Sequence, residues 1–121
     1  MKVFKVLIKS VLIAFVFLNL TLAAADEFEL TKVYPRIFTP NNDGLNDLVY
    51  FYFSNPQDSL VSCRIFDILG RETVNLHWGG ERDSLVWNGR DDQGNAVSSG
   101  VYIYQIEAEG KTLNGVIIVA R

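Results

Sequence analysis

Hydrophobic and polar residues alternate in short runs from residue 26 onward, and glycine, asparagine, aspartate or proline separates each run from the next. Alternation with a period of two indicates β-strands, and no stretch after residue 25 has the period of an amphipathic helix. About seven strands in fewer than 100 residues is typical of an Ig-like antiparallel β-sandwich. The chain is therefore predicted to be all-β, with strands at 32–38, 48–54, 60–68, 72–76, 84–87, 101–107 and 112–120.

The run at 101–107 differs from the others because both of its faces are apolar or aromatic. Val101 and Ile103 alternate with Tyr102 and Tyr104. A strand at the centre of a sheet, covered on both faces, fits this pattern better than an edge strand. Turns between strands are predicted where glycine and aspartate cluster, at 69–70, 91–94 and 109–111.

The first 25 residues have the three-part pattern of a secretory signal peptide. Three lysines precede an apolar run at 11–22, and a run of small residues ends at Ala25. Signal peptidase requires small residues at such a site, so we predict a cleavable signal peptide that ends at Ala25. An uncleaved membrane anchor is the alternative, but the apolar run is short for a span and is interrupted by Asn19 and Thr21. No membrane insertion is expected after cleavage.

The predicted mature chain is long enough for one small domain. We expect an N-terminal leader at 26–32 and a single domain at 33–121. Loss of the three signal lysines leaves eight basic and 14 acidic residues, a formal charge of −6. Such a chain repels polyanions, which excludes nucleic acid and anionic membrane surfaces as partners. Cys63 is the only cysteine, so no intramolecular disulfide can form, and its apolar alternation predicts a buried thiol.

Three segments, in order, resemble motifs of exported bacterial Ig-like domains. Phe-Thr-Pro-Asn-Asn-Asp-Gly-Leu-Asn-Asp at 38–47 resembles the opening motif of gliding-motility-associated C-terminal domains, with Asn42 where that family usually has glycine. Ile-Phe-Asp-Ile-Leu-Gly-Arg at 65–71 is similar to a strand and turn of the FlgD-type Ig-like domain. Trp-Asn-Gly-Arg-Asp-Asp-Gln-Gly at 87–94 and Ser-Gly-Val-Tyr-Ile-Tyr at 99–104 are similar to the most recognisable stretch of that module. The family motif falls on Trp87, Asn88, Gly89, Asp91, Gly94, Gly100 and Tyr102.

This resemblance implies an exported protein of the periplasm, the cell surface or the extracellular space. Members of the superfamily act as sorting signals for type IX secretion, as rigid spacers or as assembly modules. We therefore expect a non-enzymatic role in sorting, surface attachment or assembly of an extracellular structure. The expected partner is a protein or the secretion machinery, which would pair with a sheet edge, and the final strand at 115–121 is the candidate edge. The oligomeric state is not predicted.

Four oxygen-bearing side chains lie within seven residues of the first motif: Asn41, Asp43, Asn46 and Asp47. Oxygen ligands at this density suit a hard cation, so calcium is a candidate cofactor, with Asp91 and Asp92 as distant contributors. Leu45, however, stands where a regular calcium loop needs oxygen, and no glutamate closes the loop. The alternative, which we favour, is a tight turn whose side chains accept hydrogen bonds from the loop's own backbone. No other cofactor is predicted.

The remaining side chains form no recognisable catalytic arrangement. His77 is the only histidine, which excludes paired-histidine metal sites, and no nucleophile elbow or phosphate loop is present. We predict that the protein is not an enzyme, that His77 lies at the surface and that Trp87 anchors the core. Tyr50 and Tyr52 share one face of their strand, where they either form an outward aromatic platform or, as we expect, pack under the second sheet. Calcium or carbohydrate binding by the sandwich is the alternative function.

Overall fold

The computed structural model describes residues 27–80 and 83–121, in which all regular structure is β-strand. One sheet has the order β1-β3-β6 and the other has the order β2-β8-β7-β4-β5. Apolar side chains of both sheets meet between them, which confirms the predicted all-β sandwich. The strands are β1 (Glu29–Tyr34), β2 (Ile37–Phe38), β3 (Val49–Ser54), β4 (Ser62–Phe66), β5 (Glu72–His77), β6 (Ser84–Trp87), β7 (Gly100–Ala108) and β8 (Lys111–Val119).

Two sequence predictions concern membrane contact. The predicted signal peptide lies outside the described residues. Across the two described ranges, no helix has the length and apolar character that crossing a bilayer requires.

The alternation along β3 shows how the sequence pattern builds the core. Val49, Phe51 and Phe53 are buried between the sheets, whereas Tyr50 and Tyr52 point away from them. Successive side chains of a strand lie on opposite faces, so a shift of one residue would expose all three buried side chains. Full burial of one such side chain stabilises the fold by about 1.5–3 kcal/mol, which fixes the register of β3.

The predicted first strand, 32–38, forms two strands that belong to different sheets. β1 pairs with β3 in the antiparallel sense, whereas β2 pairs with β8 in the parallel sense. Pro35 lies between them and has no N–H to donate to a ladder, which explains the break. The described residues therefore form eight strands with one parallel pair, where the sequence predicts about seven antiparallel strands.

The first strand begins earlier than the sequence predicts. β1 starts at Glu29, inside the segment 26–32 that is predicted to be a leader. Phe28 is buried, and its ring centroid lies 5.4 Å from that of Phe53. The Phe28 N–H also donates a hydrogen bond of 2.7 Å to Glu109 Oε2. Residues from Phe28 onward therefore belong to the sandwich rather than to a loose leader, because the Phe28 side chain completes the core.

β7 lies between β8 and β4, which confirms its predicted central position. Tyr102 and Tyr104 on its inner face are buried, as a core strand requires. Val101 and Ile103 on its outer face are 39% and 36% exposed. The prediction that both faces are covered is wrong for the described part of the chain, because the second sheet of a sandwich covers only one face.

Three single side chains agree with or extend the predictions. Cys63 is fully buried, and burial raises the pKa of its thiol to about 12 against the opposing effect of a backbone hydrogen bond at Gln105. His77 ends β5 and is exposed. The Tyr102 hydroxyl donates to the Ser98 carbonyl at 2.7 Å, a contact of the kind made by the tyrosine corner of Ig-like domains.

Candidate functional site

The first motif forms a loop between β2 and β3 that its own side chains hold together. Asp47 Oδ1 accepts hydrogen bonds from the N–H groups of Asn41 at 3.0 Å and Asn42 at 2.9 Å, and Oδ2 accepts one from Gly44 at 2.7 Å. Asn41 Oδ1 accepts from the Asp43 N–H at 3.1 Å. Asn42 adopts a positive φ of 60°, which asparagine tolerates better than most residues. The loop geometry thus explains the density of asparagine and aspartate in this motif.

This geometry is the tight turn that the sequence offers as the alternative to a calcium site. Both oxygens of Asp47 already accept backbone hydrogen bonds, and Asp43 Oδ1 accepts one from Leu45 at 2.8 Å. Within the described ranges, no three His, Cys, Asp or Glu side chains come together as a metal site would require. Calcium binding by Asn41, Asp43, Asn46 and Asp47 stays a prediction.

The predicted distant contributors, Asp91 and Asp92, have structural contacts elsewhere. Asp91 Oδ1 accepts from the N–H groups of Gln93 at 3.0 Å and Asn95 at 2.8 Å, which closes the turn after β6. Asp92 Oδ1 accepts from the Asn75 N–H on β5 at 3.3 Å. Asp92 therefore covers part of the β5 edge, and the turn is attached to the five-stranded sheet.

Arg121 joins the first and third motifs. Its Nη1 donates to the Pro40 carbonyl at 2.8 Å, its Nη2 donates to the Gly89 carbonyl at 3.2 Å, and its Nε donates to the Val97 carbonyl at 2.8 Å. Gly89 has a φ of +74°, and a Cβ there would lie 2.9 Å from Pro40 Cγ. Glycine at this position lets the two loops approach closely enough for one guanidinium group to bind both.

Trp87 is buried in the core at the start of the third motif, as predicted. It is 1% exposed, and its ring centroid lies 5.4 Å from Phe38 and 5.5 Å from Tyr102. Its Nε1 donates to the Arg90 carbonyl at 2.9 Å, and Arg90 Nη1 in turn donates to the Gly94 carbonyl at 2.9 Å. The third motif therefore specifies a loop that is anchored in the core, and its residues have structural contacts.

The second motif also forms a loop that its own side chains hold together. Asp67 Oδ1 accepts from the N–H groups of Leu69 at 2.9 Å and Arg71 at 3.0 Å, and its Oδ2 lies 2.7 Å from Arg71 Nε. Backbone hydrogen bonding from Arg71 is the main reason why the pKa of Asp67 is lowered, and its ion pair with Arg71 adds to the effect. All three motifs thus build loops, which leaves the surfaces between them as candidates for binding.

One such surface is the outer face of the five-stranded sheet. The register places one row of aliphatic side chains across β2, β8 and β7 and a second row across β8 and β7. These side chains are between 36% and 60% exposed. Contiguous exposed apolar groups of this kind mark sites of protein contact. We call this surface the outer aliphatic patch, and it consists of Ile37, Ile118, Val101, Val116 and Ile103.

Beside this patch, part of β8 has an unpaired backbone edge. β7 pairs with β8 over its whole length, whereas β2 reaches only Ile118 and Val119. The Ile118 N–H donates outward to the Arg36 carbonyl at 2.7 Å. Alternate residues of an antiparallel ladder direct their N–H and C=O groups to the same side. No described strand pairs with the corresponding groups nearer the start of β8, which we call the open edge: Thr112, Asn114 and Val116.

The open edge corrects the predicted position of the exposed strand edge. The sequence prediction places a free edge at 115–121, but β2 already occupies Ile118 and Val119. The Ala120 N–H also donates to the Phe38 carbonyl at 2.9 Å. The unpaired part of β8 therefore begins earlier than predicted, and it overlaps the predicted segment only at Val116.

The tyrosines of β3 form a second exposed surface, on the three-stranded sheet. Tyr52 is 39% exposed and Tyr50 is half-buried, and their rings stack with centroids 5.7 Å apart at an angle of 12°. The expectation that they pack under the second sheet is wrong, because Phe51 and Phe53 occupy that face. Trp78 does pack inward, with its ring 5.7 Å from that of Phe53.

Residues 32–119 match the family model of the CHU_C type IX secretion signal domain. The chain belongs to this family. Membership confirms the predicted relation to type IX secretion C-terminal domains and places the chain among secreted or cell-surface proteins. The FlgD-type part of the predicted resemblance stays a prediction.

Two solved structures share the fold of this CHU_C domain. PorZ, an essential bacterial surface component of the type-IX secretion system of Porphyromonas gingivalis, is 26% identical with a TM-score of 0.55 over 74% of this chain. Dimeric latent PorU from the same organism is 20% identical with a TM-score of 0.53 over 76% of this chain, a likeness that shows the fold alone. The chain spans only 11% and 9% of those two proteins. No curated protein matches this chain.

Sequence reasoning missed two features of this CHU_C domain that depend on packing. The role of Arg121 could not be predicted, since its partners are backbone carbonyls of loops distant in sequence. The outer aliphatic patch was detectable in part, because Val101 and Ile103 alternate with tyrosines in β7. The patch was not recognised because both faces of β7 were predicted to be covered.

Proposed function

We propose that this chain is a non-enzymatic secretion module whose folded CHU_C domain is recognised by a protein of the type IX machinery. Its membership of the family supports a role in sorting or assembly. After recognition, the module is released at the cell surface or into the medium. The open edge of β8 is the observation that carries the proposed mode of recognition.

Backbone pairing at this edge needs a strand as its partner. Thr112, Asn114 and Val116 direct N–H and C=O groups outward at alternate positions along β8, and a bound strand would satisfy each of them. β2 already pairs with the end of the same edge, so an incoming strand would continue the row that β2 begins. The outer aliphatic patch lies beside this row and gives the side chains of the incoming strand an apolar contact.

Truncation of β8 would not test this proposal cleanly. Ile117 and Val119 are fully buried, so deletion of residues 115–121 removes part of the core as well as Arg121. We expect such a deletion to abolish both folding and export. A test must remove the outward hydrogen bonds and leave the core intact.

Asn114→Pro meets this requirement. Its N–H points away from β7, so proline removes one outward donor without breaking a bond of the β7–β8 ladder, and the ring also blocks the approach of a strand. The matched control is Asn114→Ala, which loses the side chain but keeps the N–H. We expect secretion of the proline variant to fall at least tenfold, while the alanine variant is secreted normally.

The assay measures the protein in cells, on the cell surface and in the medium of a host that has a type IX system. Thermal unfolding of both purified variants checks that the fold is retained. Normal secretion of a folded Asn114→Pro protein would rule out recognition at the open edge. Equal losses for both variants would assign the effect to the Asn114 side chain instead.

A further inference from the structure

A groove runs along the outer face of the three-stranded sheet, where β1 and β3 meet the loop of the first motif. It has a volume of about 400 Å³, within the range of pockets that bind small ligands. One wall is aromatic and the other is polar. The lining residues that matter here are Tyr34, Tyr50 and Tyr52 on the first wall and Gly44 and Asn46 on the second.

The aromatic wall exposes more tyrosine than a covered sheet would. Tyr34 is 55% exposed and is paired across the sheet with Tyr50, which stacks on Tyr52. Lys32 Nζ lies 4.7 Å from the centroid of the Tyr34 ring, so a cation rests against that ring. Tyrosine offers an apolar ring together with a hydroxyl that can donate or accept a hydrogen bond.

The polar wall comes from the tight turn. Asn46 adopts a positive φ of 53° and is exposed, and it lines the groove. Asp47 also lines the groove, but both of its oxygens accept hydrogen bonds from the loop backbone. Asp47 therefore positions the wall, and the exposed amide of Asn46 offers a donor and an acceptor to a ligand.

We infer that this groove binds an oligosaccharide of β-linked, gluco-configured sugars. In such a sugar all ring hydroxyls are equatorial, so the two faces of the ring present C–H groups to an aromatic wall while the rim presents hydroxyls. A groove with tyrosine on one side and an amide on the other matches both parts of that ligand. A proline-rich peptide also docks in aromatic-lined grooves, but the polar wall formed by Gly44, Asn46 and Asp47 favours a ligand that carries hydroxyl groups along its rim.

Cellohexaose is the probe that tests this inference with the purified protein. Titration into isotope-labelled protein should shift the backbone resonances of Tyr50, Tyr52 and Asn46 in a saturable manner, with smaller changes on the opposite sheet. Tyr50→Ala should weaken the affinity at least tenfold, whereas Tyr50→Phe should retain most of it, because the ring is kept. Asn46→Gly, which tolerates the positive φ and lacks the amide, should also weaken binding.

Leu60→Ala is the matched control, since Leu60 is exposed, does not line the groove and should leave the affinity unchanged. Thermal unfolding shows whether each variant is folded. Absence of saturable shifts with cellohexaose, or equal affinity in folded Tyr50→Ala protein, would overturn the inference. Binding of a proline-rich peptide in the same groove, without cellohexaose binding, would overturn it in favour of a protein ligand. None of these results depends on secretion, so this inference and the proposed function fail separately.

Discussion

Gly115→Ala should destabilise the domain although it adds only one methyl group. Gly115 on β8 pairs with Tyr104 on β7, and the Tyr104 ring lies directly across the glycine. A Cβ at position 115 would overlap the hydroxyl and two ring carbons of Tyr104. The ring is buried and meets Phe51 edge-on, with centroids 5.2 Å apart at 73°, so it cannot move without disturbing the core.

The magnitude follows from two opposing effects. Adding a methyl group to a well-packed core costs about 1–3 kcal/mol. Replacing glycine by alanine within a strand returns about 0.5–1 kcal/mol, because the unfolded chain loses freedom. The centres of these ranges leave a net loss of about 1 kcal/mol, and a domain of this size loses about 4–8 °C in Tm for each kcal/mol. We therefore expect Tm to fall by about 4–8 °C.

Circular dichroism during thermal and urea unfolding measures this loss, and Tyr104→Val provides the matched background. Valine places a smaller, β-branched apolar side chain in β7 and vacates the space over Gly115. If the Tyr104 ring causes the loss, Gly115→Ala should be neutral or stabilising in the Tyr104→Val protein, and the cycle isolates this coupling. An equal loss of stability in both backgrounds would refute the role assigned to the ring.

Four further outcomes are expected. Arg121→Ala should lower the free energy of unfolding by about 1 kcal/mol, and Arg121→Lys should not restore it, since lysine lacks the planar fork that reaches separate carbonyls. Folding lowers the pKa of Asp67, so its ionised carboxylate stabilises the domain above the unfolded pKa of about 4. This stabilisation is lost as the pH falls through the folded pKa. The loss of unfolding free energy caused by Asp67→Asn, measured with urea, should therefore shrink toward a pH of about 2. Cys63 should resist iodoacetamide at pH 8 until denaturant is added, because its thiol is buried and its pKa is about 12. If the loop of the first motif binds calcium, Tm should rise by several degrees over a chelator control and Asp43→Ala should abolish the rise; an unchanged Tm would leave the loop as a turn.

The strands were predictable where alternation and turn residues agree. The predicted strand 84–87 coincides with β6, and the prediction 48–54 exceeds β3 by one residue. In β6 the large side chains of Leu85 and Trp87 alternate with the smaller Ser84 and Val86. Both predicted segments also lie between aspartate and asparagine, which favour turns. The buried thiol of Cys63 followed from the same reasoning.

The sequence could not reveal which sheet each strand joins. The prediction of one strand at 32–38 did not take into account that Pro35 lacks a ladder donor, and no local pattern shows that the chain changes sheets there. Tyr50 and Tyr52 are apolar enough to be interior residues, and only the burial of Phe51 and Phe53 on the other face decides their outward position. The role of Arg121 depends on loops more than 20 residues away, beyond the reach of local pattern.

The pairing of β2 with β8 has a consequence for the order in which the domain folds. Pro40 and Arg121 are 81 positions apart in sequence, and Ile37 pairs with Ile118 across a similar separation. Contacts between distant segments form slowly, because a long loop must close before they stabilise anything. A chain that emerges from the ribosome or a translocation pore with its N-terminus first cannot make these contacts until residues 118–121 have followed. A partner that binds the open edge of the folded domain would therefore select chains in which residues 118–121 have already joined the fold.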